Sequence, residues 1–398
     1  MRKKISFLVA LAISLSISST SLAAAVNNSP NNAASESIQI SGDTVNLTMD
    51  DALKNVENSN TEIKLMKDKL NALNKQYDLD HDLAVTIKTD IAGVDKLQAE
   101  MQRLITPMKD EQNIKNQKYA IDVKLNDIKF DIQRHYLNIL TCNDQIDNIN
   151  KTMENIDKQI KKLQDQISVG MATTDALNPL NVQRSQLLAQ IDSINSDIDN
   201  SKLLIKQYLN IDLDKKLNLS PAKKDFAKFD DTNITDKINQ AMQKDYGMSE
   251  AQINITIAQN QKEIYSRYDN DSSGKLSSAE ANLMDAQRNV VSTGANAQTN
   301  LWSKYYTLKS DENAVETQVL SEKSAKADYD KAQHNYDNGM IDKVTLDSTK
   351  LAYDKQKNLA QRAINEYMIV QEQFKYMLEG HASAQPSTQS IGISGIDY

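Results

Sequence analysis

From Ile121 onward the apolar residues fall in steps of four and three: Leu125, Ile128, Ile132, Ile139, Cys142, Ile146, Ile149, Met153, Ile156, Ile160, Leu163 and Ile167, with His135 at the one remaining seam position. That period keeps one stripe of a helix turned toward a partner helix. At about 1.5 Å per residue the run predicts a helix of roughly 70 Å, a rod rather than a globular core. The stripe stops at Val169-Gly170-Met171. It returns as Leu177, Leu180, Leu187, Ile191, Ile194, Ile198, Ile205 and Tyr208, interrupted by Arg184 and Ser201. Gly170 can end a helix in the left-handed conformation, and Pro179 suits the first turn of the next one. The two runs predict a helical hairpin with its tip at Gly170.

The hairpin recurs 169 residues later without a gap: Tyr136 aligns with Tyr305, Gly170-Met171 with Gly339-Met340, Leu177 with Leu346, and Leu209 with Leu378. Constant spacing over this length marks a duplicated unit. The second seam is weaker and richer in small and aromatic residues: Ala325, Tyr329, Ala332 and Tyr336, then Leu359, Ala363, Tyr367, Val370, Phe374 and Met377. A feeder helix precedes each hairpin. Thr48, with Asp51 three residues on, predicts an N-cap before Ala52, Leu53 and Val56; the counterpart starts near Ile234-Thr235, with Ile238, Ala241 and Met242. The fold class is therefore all-α, long antiparallel coiled-coil hairpins in two tandem repeats without a clear β-barrel. Its expected segments are a first repeat over 47–220, a linker over 221–233 and a second repeat over 234–380. Residues 26–46 and 381–398, rich in Ser, Asn and Gln, are expected to be flexible.

The chain opens with Arg2, Lys3 and Lys4, an apolar stretch from Ile5 to about Ile17, and small residues closing at Ala23-Ala24-Ala25. This predicts a signal peptide over 1–25 and an exported protein of the cell envelope or the extracellular space. Net charge is −8, with 46 basic and 54 acidic residues. That balance excludes nucleic acid as a partner, since phosphate binding needs a basic stripe. Cys142 is the sole cysteine, so no internal disulfide framework exists.

Several of these features resemble the outer-membrane efflux protein family, the TolC family. The resemblance rests on Leu47-Thr48-Met49-Asp50-Asp51-Ala52-Leu53 with Asn60, on Tyr136 before a long helix, and on Val169-Gly170-Met171 with Asp175 and Leu177. Gly339-Met340 with Leu346 completes the duplication. Membership would imply a homotrimer whose hairpins form a tapered tunnel. Tips at Val169, Gly170, Met171, Gly339 and Met340 would then meet an adaptor or membrane-fusion protein of an export pump. The family also places two β-strands after each feeder helix. The stretch from Asp78 to Lys118 offers one short β-like run, Ala84 to Ile87, before Leu97, Met101, Leu104 and Met108 resume helical steps with Pro107 as a kink point. Membrane strands need about nine to eleven alternating residues, and no clear pair exists. A barrel-less relative from a cell without an outer membrane fits this pattern.

Where the second strand pair would sit, residues Asp269 to Glu280 match an EF-hand loop. Asp269, Asp271 and Ser273 supply oxygens at positions one, three and five, and Gly274 makes the turn at six. Lys275 offers its carbonyl at seven, Ser277 acts through water at nine, and Glu280 closes the site at twelve. The loop has no second EF-hand to pair with. The expected cofactor is calcium, bound at the weak end of the range, about 10⁻⁴ to 10⁻³ M, with a polar inter-helix turn as the bland alternative.

No phosphate loop, HExxH or GxSxG is present. His135 and Cys142 are two turns apart, about 10 Å, too far for a shared metal or a nucleophile–base pair. No enzyme is expected. Two roles stay open: an export-machinery component with docking tips, or a secreted calcium-stabilised structural or adhesion rod.

Overall fold

The computed structural model describes residues 39–41, 43–88, 94–269 and 274–383. The signal segment at 1–25, most of 26–46 and the tail beyond 383 lie outside them. Among the described residues one sheet forms. Strand β1 (Gln39–Ser41) makes a hairpin with β2 (Thr44–Leu47), which buries Val45 and Leu47 on one face. The end of the segment expected to be flexible is thus held by strand pairing.

Helix α1 (Met49–Ser59) starts where the sequence predicts. Thr48 accepts the Asp51 N–H at 3.1 Å and donates its hydroxyl to the Asp51 carboxylate at 2.6 Å, a variant of the capping box. The chain then breaks at Asn60. Its side chain caps α2 (Thr61–Thr86) by accepting the Ile63 N–H at 3.0 Å, and donates to the Tyr208 carbonyl at 2.9 Å. Helix α2 overruns the β-like run expected at Ala84–Ile87 through Thr86. Propagating a helix already formed costs less than nucleating a strand with no partner. Helix α3 (Val94–Glu100) passes through a π turn, Met101–Ile105, into α4 (Thr106–Ser168), with Pro107 in the first turn of α4. A proline in a helix's first turn needs no intrahelical partner for its missing N–H.

Helix α5 (Asn178–Tyr208) returns along α4. Their shared core holds Leu125, Ile128, Ile132, Ile139, Cys142 and Ile149 against Ile194, Ile198 and Ile205, the seam the period predicts. After α5, β3 (Lys216–Leu219) runs parallel to β2. The Tyr136 hydroxyl lies 2.9 Å from the Leu47 carbonyl and 2.7 Å from that of Ser220, so one buried tyrosine pins α4 to the ends of both strands.

The second repeat copies the first. Helices α6 (Ile234–Lys244) and α7 (Tyr246–Tyr268) break at Asp245, the counterpart of Asn60. Asp245 caps α7 through the Met248 N–H at 3.1 Å and accepts the Ser383 N–H at 2.9 Å, beyond the last helix. Helix α8 (Lys275–Asp337) has 63 residues, as α4 does, and its ends lie 169 positions after those of α4. Helix α9 (Lys343–Tyr376) returns along it. The linker over 221–233 is laid on α9. Asn365 accepts the Lys224 N–H at 3.1 Å, Gln371 donates to the Ala227 carbonyl at 2.8 Å, and the Tyr367 hydroxyl accepts the Phe229 N–H at 2.8 Å.

The long helices pack in the order α5, α4, α9, α8, with α2 against α4 and α7 between α4 and α8. The strand pairs that the family resemblance implies have no room. The gaps between helices are 87–93 and 269–274, each shorter than one membrane strand of about nine residues. Packed side chains fill that pole instead: Leu97, Met101, Ile105 and Met108 against Ile257 and Ile264. No helix among the described residues is long and apolar enough to cross a membrane.

Candidate functional site

Both hairpins end in the same Schellman turn. Gly170 has φ +75°, the Met171 N–H reaches the Gln166 carbonyl at 2.8 Å, and the Gly170 N–H reaches that of Ile167 at 3.0 Å. Gly339 has φ +71°, with Met340 bonded to Asn335 at 2.8 Å and Gly339 to Tyr336 at 2.9 Å. The tips share one pole, because Lys162 near the first pairs with Asp342 of the second at 3.3 Å. Val169, Met171 and Met340 are each about two-thirds or more exposed there, at 68%, 77% and 69%. The tips thus present flexible thioethers beside rigid turns, side chains that adapt to many surfaces, and no reacting group.

His135 and Cys142 are core residues. The polar breaks in the two facing stripes meet, His135 Nδ1 lying 3.3 Å from Ser201 Oγ, with Asn138 donating to the same hydroxyl at 3.3 Å. Burial, reinforced by Arg134, depresses the His135 pKa to about 4, so the ring is neutral at pH 7. Burial pushes the Cys142 thiol up, which removes nucleophilic character.

The second seam carries a charge that stripe reading missed. Glu312 is buried, 2.8 Å from both Lys228 and Lys309, and accepts the Tyr367 hydroxyl at 3.3 Å. Burial raises its pKa, but the two lysines prevail and hold it below the ordinary value. The signal was an acidic residue between Leu308 and Val315 on the buried face. One position away, Asp311 is pushed up to about 6, chiefly by burial and then by Glu366.

The calcium loop is divided. Asp271 and Ser273 lie outside the described residues. Gly274 has φ +67°, the left-handed conformation suited to the sharp turn at position six. Asp269 ends α7 in extended conformation. Two features fit less well. Glu280 is paired with Lys262 at 3.2 Å. Helix α8 already begins at Lys275, so that carbonyl points along the helix toward the next turn. Binding would have to unwind the first turn of α8 and release Glu280. Among the described residues no three carboxylate, histidine or cysteine groups gather around one point.

No family model matches this sequence, and no curated protein matches it. Solved structures do. The CmeC outer membrane channel of Campylobacter jejuni is similar with a TM-score of 0.63 at 12% identity, over 85% of this chain and 87% of that one. The chain has a TolC-like helical fold. The outer membrane protein VceC of Vibrio cholerae gives 0.58 at 10% identity, over 84% and 96%. The MtrE outer membrane channel of Neisseria gonorrhoeae, in its open state, gives 0.58 at 9% identity, over 86% and 91%. At these identities the TolC-like likeness is one of fold. CmeC and MtrE are outer membrane channels and VceC an outer membrane protein, whereas the described residues of this TolC-like chain hold no closed barrel.

Proposed function

We propose that the protein is a non-enzymatic component of an export assembly in the cell envelope. Three copies would form a helical conduit whose tips dock on an adaptor of a membrane pump. The observation that carries this reading is the matched pair of Schellman tips, side by side at one pole and presenting Val169, Met171 and Met340. A fold shared with outer membrane channels supports it. The test is site-specific photo-crosslinking in cells from Met171 and Met340, with captured proteins identified by mass spectrometry. Capture of an export-pump adaptor from both tips is expected. Capture only from positions remote from the tips would sink the docking role.

The loop over 269–280 is proposed to take calcium and stiffen the opposite pole. Its order of oxygens and the left-handed Gly274 support this. Isothermal titration should show binding in the wild type and its loss in Glu280→Gln; no heat in either would end the proposal. The helical pole, too tight for membrane strands, favours a second reading as a secreted, calcium-stabilised rod at the cell surface. That reading predicts protein in the wall or medium with no adaptor captured.

A further inference from the structure

We propose that residues 380–383 form a protonation-dependent clasp, in which a doubly protonated His381 locks the end of the second repeat onto α4 of the first and releases it on losing a proton. The device is internal to one chain and does not depend on assembly.

Composition predicts flexibility from residue 381 onward, yet 381–383 are held by side chains from α4, α8 and the break between α6 and α7. Beyond α9 a π turn, Met377–His381, carries Gly380 at φ +111°, where an added Cβ would come within 2.6 Å of the Lys244 carbonyl oxygen. Glycine lets the chain pass the end of α6 that closely. Ala382 is fully buried, and its carbonyl accepts from Asn300 of α8 at 3.1 Å. Ser383 donates both its N–H and its hydroxyl to the Asp245 carboxylate.

His381 supplies the bond to α4. Its Nε2 lies 3.0 Å from a carboxylate oxygen of Asp122, and its Nδ1 lies 3.1 Å from the Tyr376 carbonyl oxygen. Both partners are acceptors. A neutral imidazole has one N–H and one lone pair, so it satisfies one partner and turns the lone pair on the other. Only the imidazolium satisfies both. The rings around it favour the same form. His381 stacks on Tyr376 with centroids 3.8 Å apart and on Tyr119 at 5.5 Å, within the range at which a cation is attracted to an aromatic face.

The groups around the ring are acidic or phenolic. Tyr119 and Asp122 come from α4, and Tyr376 from α9. Asp245 is bonded to Ser383, and Tyr246 of α7 stacks behind Tyr119 at 4.0 Å; Glu379 lies two residues away on the same turn. Burial, then Asp245, Asp122, Tyr246 and Glu250, push the Tyr119 phenol up, as an acidic neighbourhood should. At the same offset the first repeat has Asp212 in place of the histidine, so the clasp is particular to the second. Histidine is the side chain that changes charge between about pH 5 and 8. The clasp is complete in acid and loosens as pH rises. That is the opposite sense to His135, which folds neutral and is penalised in acid.

The test is amide hydrogen exchange of the peptide covering 377–383 in the full chain, corrected for intrinsic exchange and referred to the first seam around Ile139. Protection should be about fivefold higher at about pH 5.5 than at about pH 8.5, the size of one partly screened charged contact. His381→Gln should remove the difference. Asp122→Asn should remove it by keeping protection at the higher pH, because the new amide can donate to a neutral Nε2 while Nδ1–H still reaches Tyr376. Circular dichroism should show unchanged helix content in both variants. Equal protection at the two pH values in the wild type overturns the proposal whatever the variants do. A pH difference that survives His381→Gln overturns it too.

Discussion

The two hairpins are the same object built twice with different interiors. Each has a 63-residue outgoing helix and a Schellman tip with glycine near φ +70°. Each is preceded by a feeder broken by a polar cap, Asn60 in one and Asp245 in the other. Their seams diverge. The first is aliphatic, relieved by the neutral His135–Ser201 contact. The second packs alanine and aromatic rings around the charged Glu312, and its Lys304 and Asp311 stand where the first has His135 and Cys142. Helix length and end geometry specify the unit, whereas the seam can be rewritten if each buried polar group keeps a partner.

The largest expected contrast follows from that pairing. Glu312→Ala removes the buried carboxylate shared by two lysines and by the Tyr367 hydroxyl, although Lys228 keeps Glu316 and Lys309 keeps Asp231, and should cost about 2 kcal/mol. Ser201→Ala in the first seam removes one neutral hydrogen bond and should cost about 1 kcal/mol. Urea unfolding midpoints measure both, and equal losses would erase the distinction between the seams.

Acid should separate the hairpins next. The Asp311 pKa is raised in the folded state, so its contribution is fully present below the ordinary carboxylate range and is lost as pH rises through about 6. The His135 pKa is lowered, so its contribution is present above about 6.5 and is lost as pH falls through about 4. Asp311→Asn should accordingly stabilise the chain at pH 7 by about 1 kcal/mol, after allowance for solvent, with the gain fading by pH 4. His135→Gln, which cannot charge, should do the opposite and protect against acid. Melting temperatures of both variants at pH 4 and 7 give the answer.

The smallest difference is expected at the tips. An added Cβ would meet nothing within 4 Å at Gly170 or Gly339, so only the left-handed backbone resists substitution. Gly170→Ala and Gly339→Ala should each cost about 1 kcal/mol. Unequal costs would show that one tip is braced by contacts the other lacks.

These contrasts follow what was legible in the sequence. Tips, helix lengths, the Thr48 cap and the aliphatic seam are local or periodic features, and a stripe such as Ile128-Ile132-His135-Ile139 announces its own face. The second seam was traced through Tyr367, Val370 and Phe374, but the burial of Glu312 depends on Lys228 arriving from a linker that carries no period. The linker's course depends on the amide side chains of α9, which read as ordinary solvated positions. The three-stranded sheet joins residues more than 170 positions apart and has only short strands to signal it. The breaks at Asn60 and Asp245 read as polar positions within one feeder, because their second partners, Tyr208 and Ser383, lie far along the chain. At the calcium loop the order of oxygens is plain in sequence, whereas the early start of α8 and the Lys262–Glu280 pair are not.

The central claim is that two matched hairpins make one protomer of a closed assembly. Sedimentation equilibrium of the chain without residues 1–25, over a wide concentration range and with or without calcium, tests it most directly. A mass of three copies is expected. A single-copy mass at every concentration would contradict the account.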